Sequence, residues 1–197
     1  MSSSVDISNM ALAHLGMKAI DSLAEGSPSS IACTTFFEPS RDSVLRGAKW
    51  PFATVSEALV LVDVEITGWD YIYLYPVNAA AVWDVYDEST TEEKSKQEFE
   101  VKYDPNTNKN VICSNLEDAL VDYSYKVADS SIFDPKFVMA QSYYMAAAMA
   151  HTLTGSAEIG VNLMNIYIAL ESEAKRVNSA EKVKKPKQTS SYQDSRG

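Results

Sequence analysis

Apolar and polar positions follow a helical period near both ends of the chain and a strand-like alternation between them. The first apolar stripe predicts a helix over about residues 5–15, capped by Ser3 or Ser4. Gly16 follows where helices commonly end in a left-handed conformation. A loop over residues 26–30, rich in serine, separates this helix from the next.

Helical spacing returns over residues 31–50. Asp42 and Arg46 are four residues apart, so we expect an ion pair between them. Pro39 lacks a backbone N–H and clashes with the preceding turn, so we expect a kink there or a new helix with Pro39 in its first turn. The predicted buried stripe contains Phe37, Arg41, Val44 and Ala48.

From Phe52 to about Ser130 the alternation indicates β-strands. The clearest strand covers residues 69–75, where four aromatic residues alternate with Asp70, Ile72 and Leu74. Aspartate, proline and asparagine favour turns, so residues 104–108 should separate two strands. Further strands are expected at about 81–86, 99–103, 110–113 and 121–127, and a charged loop at 88–96.

Two more helices are predicted after the strands. Asp134 and Pro135 are a typical helix start, and the helix to about Leu153 is apolar nearly all round, which predicts burial on several faces. A break at 154–156 precedes a last helix over 157–178. Residues 179–197, here called the basic segment, contain almost no large apolar residue, which is typical of an extended tail.

This order predicts an α+β fold. About four helices form a bundle, and a small antiparallel β-rich domain is inserted between the two helical pairs. The expected units are a helical domain over 1–51 and 131–178, a β-rich domain over 52–130 and a C-terminal tail over 179–197.

Charge and composition narrow the function classes. The 197 residues are 46% apolar, which suits a globular protein, and 17 basic against 27 acidic residues give a net charge of −10. Such a chain repels phosphate backbones, which disfavours nucleic-acid binding through overall charge. We expect a soluble protein from a reducing cytosol, because neither a signal peptide nor a membrane-spanning stretch is evident. Cys33 and Cys113 are too few for a disulfide framework or a cysteine-rich zinc site.

Catalytic and ligand-binding motifs are missing, so no catalytic, metal or cofactor residue is assigned. His14 and His151 each stand alone on a helix, and Cys33 is expected to be a reduced, half-buried helix cysteine. The aromatic strand at 69–75 could stack on nucleic acid bases. However, residues 50–93 hold nine acids and no lysine or arginine, which favours core or subunit packing instead.

Several stretches of the chain nevertheless match a known pattern when taken in order. They contain Leu15, Gly16, Arg41, Asp42, Trp50, Phe52, Tyr73, Tyr75, Pro76 and Phe137, and they span about residues 7–155. In this arrangement the chain resembles the head-to-tail adaptors of short-tailed bacteriophages, the tail tubular protein A-like family.

The resemblance implies a structural protein of the virion, assembled in the host cytoplasm, without catalysis, cofactor or membrane contact. Family members form a dodecameric homo-oligomeric ring beneath the portal protein and extend the DNA channel. The helical domain would form the ring, and the β-rich domain would face the distal tail or nozzle protein. Genomic DNA would pass through the lumen without sequence-specific binding, which suits an acidic wall.

The basic segment is expected to dock on the portal through Lys182, Lys184, Lys185 and Lys187, with Tyr192 as an amphipathic anchor. A merely solubilising role for this segment is the alternative. Two other function classes remain open from the residues alone. One is a small soluble hydrolase that uses a carboxylate pair, and the other is a monomeric binding module whose aromatic strand holds a peptide or glycan.

Overall fold

The structure, a computed structural model, describes residues 2–87 and 96–180. In these ranges four α-helices flank the strands: α1 (Ser4–His14), α2 (Pro28–Gly47), α3 (Pro135–Thr154) and α4 (Ala157–Ala180). The strands are β1 (Thr54–Ala58), β2 (Tyr71–Leu74), β3 (Ala79–Tyr86), β4 (Lys96–Gln97), β5 (Phe99–Asp104), β6 (Lys109–Ser114) and β7 (Leu120–Tyr125). The predicted α+β class, with strands inserted between two pairs of helices, is confirmed.

Capping residues define the start of α1 and both ends of α3 where the sequence predicted them. Ser3 and Asp6 form a reciprocal capping box at the start of α1. Asp134 accepts a hydrogen bond from the Lys136 N–H at 2.7 Å at the start of α3, and Pro135 takes the first helical position. Gly155 ends α3 in the left-handed conformation, with φ of +70°.

Helix α2 differs from its prediction at both ends and continues through Pro39. It begins at Pro28, since the Ser27 hydroxyl accepts a hydrogen bond from the Ser30 N–H at 3.2 Å, and it ends at Gly47. The predicted loop at 26–30 is therefore shorter. Proline is favourable at the first position of a helix, because the N–H that it lacks has no helical partner there. No new helix starts at Pro39, which lies inside α2 on its exposed side.

Helix α3 is the centre of the bundle and packs against α1, α2 and α4. Between Phe137 and Ala150 all residues except Met139 are buried or half-buried. The predicted burial on several faces is confirmed, and helices of the same chain supply the cover.

The strands form two antiparallel sheets with the orders β1-β7-β3-β4 and β2-β6-β5. A shared core with Tyr73 and Ile112 from one sheet and Val85 and Val121 from the other joins them. Thr54 on β1 lies opposite Ser124 on β7, so the chain enters and leaves the β-rich part on neighbouring strands.

Two details of the strand prediction are wrong. Phe52 lies in a short 3₁₀ turn, and the first strand begins only at Thr54. Trp69 precedes β2 and packs with Ile72, on the opposite face from Tyr73. A turn at Gly68, whose φ is +93°, breaks the alternation there. The aromatic residues Tyr71, Tyr73 and Tyr75 do pack into the core shared by the sheets, as predicted.

The remaining expected loop and tail are only partly covered by the structure. Residues 88–95 of the charged loop lie outside the described residues, and Lys96 begins β4. Helix α4 extends to Ala180 and so includes the first two residues of the basic segment. Residues 181–197 lie outside the described part of the chain.

Candidate assembly surfaces

An aromatic cluster joins the helical bundle to the β-rich part. Trp50 is only 3% exposed, and its indole Nε1 donates a hydrogen bond to the Val44 carbonyl oxygen at 2.9 Å. The Trp50 ring meets the Phe137 ring edge-on at 5.2 Å between centroids, and the Phe52 ring meets the Phe137 ring at 5.0 Å. The burial expected for large aromatics at this change of pattern is confirmed for Trp50, and Phe52 is half-buried.

Charged groups reinforce the same junction. Lys49 Nζ lies 2.7 Å from Asp122 Oδ2 and 3.2 Å from Asp84 Oδ2, and these aspartates face each other across β7 and β3. Ser56 Oγ and the Tyr86 hydroxyl donate to Asp122 Oδ1 at 2.5 and 3.1 Å. Two buried carboxylates this close require a cation, and Lys49 supplies it from the end of α2. This is the type of pair that the hydrolase alternative requires, and here both members bind Lys49.

The predicted Asp42–Arg46 ion pair is wrong, because both side chains have tertiary partners. Arg41, although buried, donates through Nε and Nη2 to Asp42 Oδ1 at 3.0 and 2.9 Å. Lys126, after β7, lies 3.0 Å from Asp42 Oδ2. Arg46 Nη1 instead donates to the Ala80 carbonyl oxygen at 3.1 Å. These contacts fasten α2 to both β3 and β7.

The other motif residues occupy structural positions in separate places. Leu15 is buried at the end of α1, where Gly16 has φ of +68°. The buried Tyr73 donates through its hydroxyl to the Leu116 carbonyl oxygen at 2.5 Å. Burial raises the pKa of Tyr75, although Arg46 and Lys126 act in the opposite sense, and Pro76 beside it is buried.

His14 and the two cysteines are also held in the fold. His14 stacks on Tyr143 at 3.9 Å between centroids, with Nε2 at 3.0 Å from Ser142 Oγ, and burial lowers its pKa. His151 is exposed. Cys33 is fully buried rather than half-buried, and burial raises the pKa of both the Cys33 and Cys113 thiols.

Among residues 2–87 and 96–180, neither a metal-binding group of side chains nor a membrane-spanning helix is found. No three of their His, Cys, Asp and Glu side chains are grouped to hold a metal ion. Within residues 2–87 and 96–180, every helix is too short or too polar to cross a bilayer.

Helix α4 exposes apolar side chains on both sides of its contact with the bundle. Leu163, Tyr167 and Ala174 face the core. At about 100° per residue, Ile159 and Ile166 lie to one side of this line and Val161 and Ile168 to the other. We call these pairs the first flank (Ile159 and Ile166, 36% and 42% exposed) and the second flank (Val161 and Ile168, 60% and 50% exposed).

The β-rich part carries an apolar groove with a volume of about 410 Å³. Its walls come from residues 57–60, at the end of β1, and residues 74–77, after β2, with Lys109 and Asn110 of β6 at one side. Val77 is 81% exposed, and Val60 and Leu74 are exposed beside it. We call this cavity the β-rich groove.

Negative charge is concentrated in the same part. Residues 52–130 contain 5 basic and 16 acidic residues, for a net charge of −11, whereas residues 1–51 and 131–178 together carry −2 (7 basic, 9 acidic). Asp70, Glu117 and Asp118 surround Tyr71, and chiefly the Glu117 carboxylate, with burial and the other two acids, raises the pKa of its phenol. Ion pairs between described residues do not involve these three acids.

The predicted docking residues Lys182, Lys184, Lys185, Lys187 and Tyr192 lie outside the described residues. Comparison with known proteins found no protein-family model and no curated protein that matches the chain.

Proposed function

We propose that the protein is a structural head-to-tail adaptor of a phage virion. In this proposal it forms a ring of about twelve copies beneath the portal protein and presents its β-rich part to the distal tail. The observation that carries the proposal is the exposure of apolar side chains on both flanks of α4. The ordered motifs from Leu15 to Phe137 support the same family.

A cyclic ring requires each copy to contact two neighbours through two different surfaces. The two flanks of α4 meet this requirement, because they lie on opposite sides of one helix whose inner face is already covered. Covering these exposed isoleucine and valine side chains with a neighbouring copy lowers the free energy, because apolar area leaves the water. A monomeric enzyme or binding module gains nothing from this arrangement.

The charge distribution supports passage of DNA without retention. The net charge of −11 in residues 52–130 repels phosphates, so a lumen lined by this part would not bind the genome. The basic segment carries the opposite charge, and we propose that its lysines contact acidic groups of the portal.

The test is assembly of the purified chain on its cognate portal ring, followed by electron microscopy. The wild-type chain should add a second ring of density. Ile159→Glu with Ile166→Glu disables the first flank, and Val161→Glu with Ile168→Glu disables the second. Each variant alone should add no closed ring. An equimolar mixture should form pairs, because the intact flank of one variant can still contact the intact flank of the other.

Asn165→Glu with Ser172→Glu provides the matched control, since these exposed positions are also seven residues apart and lie on the side of α4 away from the core. This control should assemble like the wild type. If the wild-type chain adds no ring density to the portal, the adaptor proposal is wrong. If both flank variants close rings as well as the control does, α4 does not form the contact between copies.

A further inference from the structure

Helix α4 brings the chain back to the side of the bundle that meets the β-rich part. Lys136, at the start of α3, pairs with Glu173 at 3.5 Å between Nζ and Oε1. Two and six residues earlier in α4, the Glu171 and Tyr167 side chains lie directly against Gly47 at the end of α2. Since Gly47 precedes Trp50 by three residues, this stretch of α4 lies near the junction. Residues 181–197 follow Ala180, nine residues beyond Glu171.

Charges on these residues and on the β-rich part are complementary. Residues 181–197 contain five basic side chains and two acidic ones, for a net charge of +3, and the β-rich part carries −11. Asp70, Glu117 and Asp118 form a cluster near Tyr71, and the Asp70 N–H donates to Asn115 Oδ1, in the loop that carries the other two acids, at 3.0 Å. This cluster adjoins the β-rich groove, because the N–H of Leu59, which lines the groove, donates to the carbonyl of Ala119 at 2.8 Å.

The groove itself suits an aromatic side chain. Its volume of about 410 Å³ and its exposed valine and leucine walls provide an apolar surface, and Glu57 adds a carboxylate at the margin. Tyr192 is the single aromatic residue within residues 181–197, and tyrosine combines apolar area with a polar hydroxyl.

We propose that residues 181–197 fold back onto the β-rich part of their own chain in the free protein, with Tyr192 in the β-rich groove and Lys182, Lys184, Lys185 and Lys187 against the neighbouring acids. Tyr192 is 12 residues beyond Ala180 and so reaches at most ~40 Å from the end of α4, about twice the ~20 Å length of a six-residue strand. A short tether gives an effective concentration of about millimolar, so weak exposed ion pairs and one buried ring are sufficient.

Through this contact the basic segment occupies the β-rich groove of its own chain until a competing partner displaces it. It does not depend on the adaptor function, since it concerns the free chain without a portal. If the portal takes the same lysines, the two contacts exclude each other, and portal binding must release the segment from the groove.

Paramagnetic relaxation in the full chain tests the contact. Ser195→Cys places a spin label three residues beyond Tyr192, and the native Cys33 and Cys113 are too buried to react. At low salt the label should reduce the amide signals of Val60, Leu74 and Val77 at least about twofold relative to those of α1. The effect should disappear in ~0.5 M salt, because screening removes the exposed ion pairs.

Three test variants, one control variant and one mixture decide the result. Lys→Ser at positions 182, 184, 185 and 187, and separately Tyr192→Ser, should restore the groove signals. Val77→Ser should weaken the effect, whereas Val101→Ser, at an exposed valine of β5 outside the groove, should leave it unchanged. Uniform loss of signal, or loss that the lysine variant does not reverse, overturns the proposal. Broadening that appears only between a spin-labelled copy and a separate isotope-labelled copy also overturns it, because the contact is then between chains.

Discussion

Trp50 stabilises the junction through ring packing and through one hydrogen bond, and these contributions can be separated. Trp50→Ala removes both and should lower the free energy of unfolding by ~3–5 kcal/mol. Trp50→Phe keeps an aromatic ring near Phe137 but loses the bond to the Val44 carbonyl, so ~1–2 kcal/mol should be lost. Urea denaturation measures both values. A loss below ~1 kcal/mol for Trp50→Ala would show that the indole is not part of the core.

His14 should make stability depend on pH. Burial lowers its pKa in the folded protein, while the unfolded chain takes up the proton near pH ~6.5. The unfolded state then binds more protons, so stability is complete above this pH and falls as the pH decreases below it. In urea titrations between pH 5 and 7.5, His14→Gln should show a weaker decrease than the wild type.

His151→Gln is the matched control for this experiment, because His151 is exposed near the end of α3. It should retain the pH dependence of the wild type. The opposite result, a decrease that is lost in the His151 variant and retained in the His14 variant, would contradict the assignment.

Single residues differ in how far the sequence could predict their roles. Trp50 lies where helical spacing changes to strand spacing, so its burial could be inferred. The contact of Lys49 with Asp84 and Asp122 could not, since these residues are far apart in sequence and meet only through strand register. Arg46 shows the same limit, because a tertiary carbonyl displaced the local partner Asp42.

Gly47 leaves room for the Glu171 and Tyr167 side chains of α4 against the end of α2. Alanine is normally the better helix former by ~1 kcal/mol, but a Cβ here would overlap Glu171 Oε1 and lie 2.9 Å from the Tyr167 hydroxyl. Gly47→Ala should therefore push the Glu171 carboxylate aside and break its bond with the Tyr167 hydroxyl, for a loss of ~0.5–1.5 kcal/mol in urea denaturation. In the Glu171→Ala chain the same substitution should cost less, because the carboxylate is already absent. If Gly47→Ala is stabilising, the bond between Glu171 and Tyr167 does not contribute to stability.

Helix starts and turns were predictable where one residue type has a specific backbone role. Asp134 with Pro135 and Gly155 mark both ends of α3 correctly. Strand β1 has no apolar alternation, since three of its five residues are exposed, and its pairing with β7 defines it instead. Pro39 starts no new helix, because α2 continues through it with Pro39 on the exposed side.

The distribution of apolar surface and charge over the molecule could be predicted only partly from the sequence. The sequence shows that α4 is apolar over a wide arc, but not that α3 covers the middle of this arc and leaves both flanks exposed. Likewise, acidic residues are evident along 52–130, but their grouping around Tyr71 depends on how β2 and the loop before β7 meet. Helical periodicity describes one element, whereas a surface requires the positions of its neighbours.

Pairing of β1 with β7 places the two chain crossings side by side. Thr54 and Ser124 are direct partners, so their Cα atoms lie ~5 Å apart, a gap that a few glycines can close. Replacing residues 55–123 with a short Gly-Ser linker should leave a helical protein that unfolds cooperatively in circular dichroism, although less stable because Ala80 leaves its core. Loss of a cooperative transition would contradict this. The whole insert can therefore be lengthened, shortened or exchanged without changing the path of the chain through the helical bundle.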